Sequence, residues 1–77
     1  MNAAQRATAH GWQMQEPGWW THPTYGGVCR EATGYWGAYP NGGPESYIWL
    51  TMTLAMTVCQ AAAEQAASRA PTTEPKP

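Results

Sequence analysis

The run from Glu45 to about Arg69 contains neither Gly nor Pro, and Pro44 and Pro71 bracket it. Proline is tolerated in the first turn of a helix, where its missing N–H is not needed, and it stops a helix further along. The bracketed run therefore predicts one long helix over about 45–69. Glu45 suits the positive end of the helix dipole and Arg69 the negative end. The Ala-rich stretch 61–67 adds helix propensity. The chain before Pro44 has the opposite character. Pro17-Gly18, Pro23 with Gly26-Gly27, Thr33-Gly34 and the stretch 40–43 punctuate it with turn signals. Between the breaks lie short pieces rich in β formers, at 19–22, 28–32 and 35–39. They predict a three-stranded antiparallel meander, with Thr33-Gly34 as a two-residue turn. The alternation of residues 12–15 marks a further candidate edge strand.

The expected fold class is α+β, a small three-stranded β-meander followed by one long C-terminal helix packed on it. The expected organisation is a flexible arm over 1–10, a single domain over 11–70 and a disordered tail over 71–77. Within the domain the sheet takes about 11–40 and the helix about 45–69. The tail carries Pro71, Pro75 and Pro77 and no large apolar residue.

The predicted helix has a readable face. Ile48, Met52, Ala55, Cys59, Ala62, Ala63 and Ala66 recur on one side, and Thr53, Thr57, Gln60 and Glu64 on the other. Small Ala and Cys at its centre allow close approach to a sheet that supplies bulky aromatics. Trp49, Leu50, Leu54 and Met56 widen the apolar arc beyond one stripe. A two-residue turn at Thr33-Gly34 would place Val28, Arg30, Ala32, Tyr35, Gly37 and Tyr39 on one sheet face. Cys29, Glu31, Trp36 and Ala38 would take the other. Both faces then carry aromatics, and one helix covers one face. The remainder is left for a second chain or for a binding patch.

The chain has 77 residues, so its core is small. A domain near this size buries roughly 60% of the surface its unfolded chain exposes. Five Trp and four Tyr, with no Phe, are many aromatics for such a core, and both types favour interfaces.

Charge and titratable groups exclude most chemistry. Net charge is −1, and the bases Arg6, Arg30, Arg69 and Lys76 are scattered, which argues against a phosphate-binding footprint. There is no Asp, and Glu16, Glu31, Glu45, Glu64 and Glu74 form no local pair for acid–base hydrolysis. His10, His22, Cys29 and Cys59 lack the paired spacing of a zinc site, so no metal or cofactor is expected. A His22–Cys29 couple on neighbouring strands has no third residue to orient the histidine. Gly42-Gly43-Pro44 opening a helix could hold an anion at the helix N-terminus, but no Lys accompanies it and it reads as a loop. The first residues lead into no apolar run, so no secretory signal is expected. The expected location is cytoplasmic, with Cys29 and Cys59 as free thiols. The uncharged stretch 46–63 contains Thr51, Thr53, Thr57 and Gln60 and falls short of the roughly 20 apolar residues that span a bilayer.

Residues Pro17-Gly18-Trp19-Trp20, His22-Pro23, 26–31, Gly34-Tyr35-Trp36, Tyr39-Pro40 and Gly43-Pro44 form a pattern of turns and aromatics. Over about 18–44 it resembles small uncharacterised proteins carried by phages and prophages. The resemblance implies a three-stranded antiparallel sheet followed by one helix, and a mobile-element origin. It supplies no activity.

The function expected from these readings is non-enzymatic protein binding, in the form of a phage-encoded inhibitor of a host defence system such as CRISPR–Cas. The expected anchors are Trp20, Tyr25, Arg30, Tyr35, Trp36 and Tyr39, with Arg30 pairing an acid on the partner. The alternative is a self-associating structural protein, a homodimer or larger, that buries Trp49, Leu50, Leu54 and Met56 between copies. A single-stranded nucleic-acid binder with aromatic stacking platforms is the third reading, and it lacks the basic groove such proteins use.

Overall fold

The computed structural model describes residues 2–41 and 43–69, so the tail expected over 71–77 lies outside the described residues. Helix α1 (Ala3–Ala9) precedes strands β1 (Gln13–Glu16), β2 (Trp19–His22), β3 (Gly26–Arg30), β4 (Trp36–Pro40) and β5 (Ser46–Trp49), and helix α2 (Met52–Arg69) follows. The fold is α+β with an antiparallel meander, as the punctuation predicts. The sheet has five strands in sequence order, not three. The two extra strands are its edges.

Each correction has a local cause. β5 occupies residues that helix propensity assigned to the first turn of the long helix. Tyr47, Ile48 and Trp49 are all β formers, and β4 offers an open edge to pair with them. The helix starts later because Thr51 caps it. The Thr51 hydroxyl accepts from the Leu54 amide at 3.1 Å, satisfying one of the donors a helix start leaves open. The arm expected over 1–10 contains a helical segment closed by a capping box. The Asn2 side chain accepts from the Gln5 amide at 2.8 Å, and the Gln5 side chain accepts from the Asn2 amide at 2.9 Å. Ala7 of this helix is buried in the core.

The β3–β4 turn also differs. The Glu31 amide donates to the Tyr35 carbonyl at 2.8 Å, and the Gly34 amide donates to the Glu31 carbonyl at 2.9 Å. Ala32, Thr33 and Gly34 therefore form a three-residue loop, with Gly34 at φ +93° as the left-handed residue such loops need. Adding one residue to the loop slips the register by one. Val28 now faces Ala38, Arg30 faces Trp36, and Gly27 faces Tyr39. A slip of one residue turns one strand's side chains over relative to the other's. The expected partition of the two faces is thereby reshuffled.

One row crosses the whole sheet on the helix side: Met14, Trp20, Val28, Ala38 and Ser46 are successive cross-strand partners. Helix α2 lies over β3 and β4, bringing Ala55, Met56 and Cys59 onto this row. Val28, Ala38, Ala55 and Cys59 are fully buried. Their small volumes bring helix and sheet close, and Trp12 and Trp20 close the flank beneath α1. Thr53, Thr57, Gln60 and Glu64 face solvent, as their spacing predicts.

Candidate functional site

The expected anchors are scattered by the fold. Trp20 and Met56 belong to the core, at 6% and 8% exposed, and neither has surface left to offer a partner. Tyr25 is half-buried and stacked on the His22 ring, centroids 4.1 Å apart. Trp36 and Trp49 are cross-strand partners on the helix side and pack against the core. The Trp49 indole also donates to the Ser46 hydroxyl at 2.7 Å. Arg30 is exposed at the end of β3 opposite Trp36, and Tyr35 is exposed beside the hairpin loop. Leu50 and Leu54 are exposed at the β5–α2 junction, together with Ile48, which sequence periodicity placed on the buried helix face.

His22 and Cys29 do not meet as a reactive couple. His22 sits opposite Gly26, and Cys29 sits opposite Trp19, so alternation puts them on different faces. Both His22 nitrogens are already engaged. Nδ1 accepts from the Thr24 and Tyr25 amides at 3.0 and 3.2 Å, which leaves Nε2 to donate to the His10 carbonyl at 2.9 Å. The ring ties the end of β2 to the end of α1. Among the described residues no three His, Cys, Asp or Glu side chains gather as a metal site. No helix among them is long and apolar enough to cross a membrane.

The remaining feature is the sheet face away from α2. Trp19, Cys29 and Gly37 form one row across β2, β3 and β4, and Thr21, Gly27 and Tyr39 form the next. Two of these six positions are glycine, so the middle of the face is low. Side chains from the rim lean over it. The Glu31 carboxyl lies over Gly37 together with the Tyr39 ring, so close that a Cβ on Gly37 would meet the Tyr39 Cε1 at 2.9 Å. The Tyr39 hydroxyl donates to Glu31 Oε2 at 2.7 Å. Tyr47 on β5 meets the Tyr39 ring edge to face, at 5.6 Å between centroids, and its hydroxyl donates to the Glu45 carboxylate. Trp19 and Tyr47 are 44% and 46% exposed.

These contacts set the electrostatics. The hydrogen bond to Glu31, then burial and the Glu31 charge, push the Tyr39 phenol well above its ordinary value. The hydrogen bond to Glu45 raises Tyr47 in the same sense. Both phenols stay protonated as donors. Arg30, next to Glu31 in sequence, is paired in register with Trp36, at a position that alternates with those of the open face.

Of this group, sequence reading singled out Tyr39 as an anchor. Trp19 and Trp20 are adjacent, and strand alternation requires one of them on each face, which was the available signal for Trp19. Tyr47 and Glu45 were hidden by the helix assignment. No protein-family model, curated protein or solved structure matches the chain.

Proposed function

We propose that this protein is a non-enzymatic protein-binding domain that receives its partner on the open face of the sheet. The observation that carries the reading is the asymmetry of cover. Helix α2 closes one face, while the other presents Trp19 and Tyr47 about half exposed, with Tyr39 beside them. Large aromatic side chains left at a surface favour burial against a partner, and Trp and Tyr are the commonest anchors of interfaces. Covering a partner's working surface, as an inhibitor of a host system does, needs area and anchors and no chemistry. The test is selection of peptides from a random display library on the immobilised protein. Selected ligands are expected to lose binding to a Trp19→Ala/Tyr47→Ala variant that retains its circular dichroism. Ligands indifferent to both residues would overturn the reading.

Self-association is supported by a different observation. Ile48 on the edge strand β5 and Leu50 just after it are 69% exposed, and Leu54 in the first turn of α2 is 45% exposed. An edge strand with apolar side chains and no charge is a template for pairing with another copy. Light scattering across a concentration series reads this directly. A mass that stays at one chain through the high micromolar range removes it.

A further inference from the structure

We infer that the open sheet face takes a cationic side chain, Arg or Lys, from an extended basic segment of a partner protein, held between Glu31, Tyr39, Tyr47 and Glu45. This rests on the protein-binding reading above and assigns the chemistry of the partner.

The argument is charge complementarity on an unpartnered sheet face. Two carboxylates flank one pair of tyrosine rings, Glu31 held by Tyr39 and Glu45 by Tyr47. Each carboxylate accepts one phenolic proton. A carboxylate has two oxygens and about four acceptor positions, so most of its capacity stays open. The nearest base in sequence, Arg30, is paired in register with Trp36, at positions that alternate with Gly37 and Tyr39 of the open face. The phenols spend their protons on the glutamates, so their oxygens keep lone pairs for an incoming donor. Aromatic faces attract cations, and carboxylates give a guanidinium its strongest hydrogen bonds. Phosphates would meet two negative charges here, which disfavours a nucleic acid on this face.

The geometry favours a chain segment over a lone ion. Gly27 places no side chain on β3 between Trp19 and the tyrosine pair, the Glu31 carboxyl and the Tyr39 ring cover Gly37, and Trp19 shares the row of Gly37 two strands away. With neighbouring strands about 4.8 Å apart, Trp19 lies about 10 Å from Gly37. Tyr47 on β5 lies one strand farther, about 14 Å across the sheet from β2, and side chains four residues apart share one face of an extended peptide and span about 13 Å, which sets one cation at the tyrosine pair and a second group on Trp19.

The test is fluorescence anisotropy with three short labelled peptides of one length, alternating Arg/Thr, Gln/Thr and Glu/Thr, and a labelled oligothymidylate. The Arg/Thr peptide is expected to bind about tenfold or more tighter than the other two, and to weaken as salt is raised. A Glu31→Gln/Glu45→Gln variant, whose amides still accept the tyrosine hydroxyls, is expected to lose about tenfold. A Glu16→Gln/Glu64→Gln variant removes the same charge elsewhere and is expected to bind as the parent does. Equal loss in both variants would mean that net charge alone attracts the peptide, and the site would be wrong. Equal binding of all three peptides, lost in Trp19→Ala/Tyr47→Ala, would leave the docking face standing and overturn the cation. No binding of the Arg/Thr peptide, or oligothymidylate bound in its place, would also overturn it. Failure of both this assay and the library selection would sink the docking face itself.

Discussion

The Cys59 thiol on α2 donates to the Gly27 carbonyl oxygen on β3 at 3.4 Å, a direct polar contact from helix to sheet backbone. Cys59 and Ala55 are fully buried one turn apart, over Val28 and Ala38, which are equally buried. The interface is built from small side chains, and the interlayer distance follows from their size. Replacing Ala55 with Leu therefore has no room to succeed. We expect a loss of about 1–3 kcal/mol, read as a lower urea midpoint with an unchanged slope.

Trp20 and Ile48 give opposite outcomes for large apolar residues. Trp20 is 6% exposed and central to the core row, so Trp20→Ala should cost about 3–5 kcal/mol and leave little folded protein. Ile48 is 69% exposed, and Ile48→Lys should move stability by no more than about 0.5 kcal/mol. Urea unfolding of the two variants reads the difference, and equal midpoints would contradict it.

Alkaline pH should weaken the fold. Burial pushes the Cys59 thiol up from its ordinary 9.0, and the Glu31 hydrogen bond pushes the Tyr39 phenol up from 10.0. Both groups hold their protons more tightly folded than unfolded, so stability is full below these ordinary values and falls as pH rises through them. The urea midpoint is expected to drop from about pH 9 upward. Tyr39→Phe should flatten the part of the decline that begins near the ordinary phenol value. An identical profile in that variant would show that Tyr39 is not held as described.

Gly37 lies buried beneath the Glu31 carboxyl and the Tyr39 ring, and a methyl group there meets both. Both are ends of flexible side chains, so Gly37→Ala should keep the strands and displace the pair. The expected cost is about 1 kcal/mol, the loss of one hydrogen bond. The sharper readout is Tyr39 itself, which should titrate nearer its ordinary value by ultraviolet difference spectroscopy.

Much of the architecture was legible before the structure. The meander and the late helix are written in Gly and Pro placement, because these residues act through their own backbone and need no distant partner. The capping box at Asn2 and Gln5 was equally local, yet α1 was read as a loose arm because residues 1–10 show no clear apolar period. β5 was hidden for a different reason. Residues 46–49 suit a helix or a strand, and the open edge of β4 selects between them.

The site was less legible than the fold. Trp20 and Met56 were read as docking residues and are core, while Trp19, Tyr47, Glu31 and Glu45 went unread as a group. Residue type marks a side chain as an anchor, but which face it occupies depends on register. One extra loop residue between Glu31 and Tyr35 reassigns every pair along β3 and β4.

By itself the sequence determined the element types, their antiparallel order, the small-residue face of α2 and the surplus of aromatics, because each follows from local backbone preference or from counting. Only the tertiary structure decided the number of strands, the face each aromatic takes and the meeting of Tyr39 with Tyr47 and their glutamates. Those depend on hydrogen bonds between strands, whose register is fixed by partners that the local sequence does not contain.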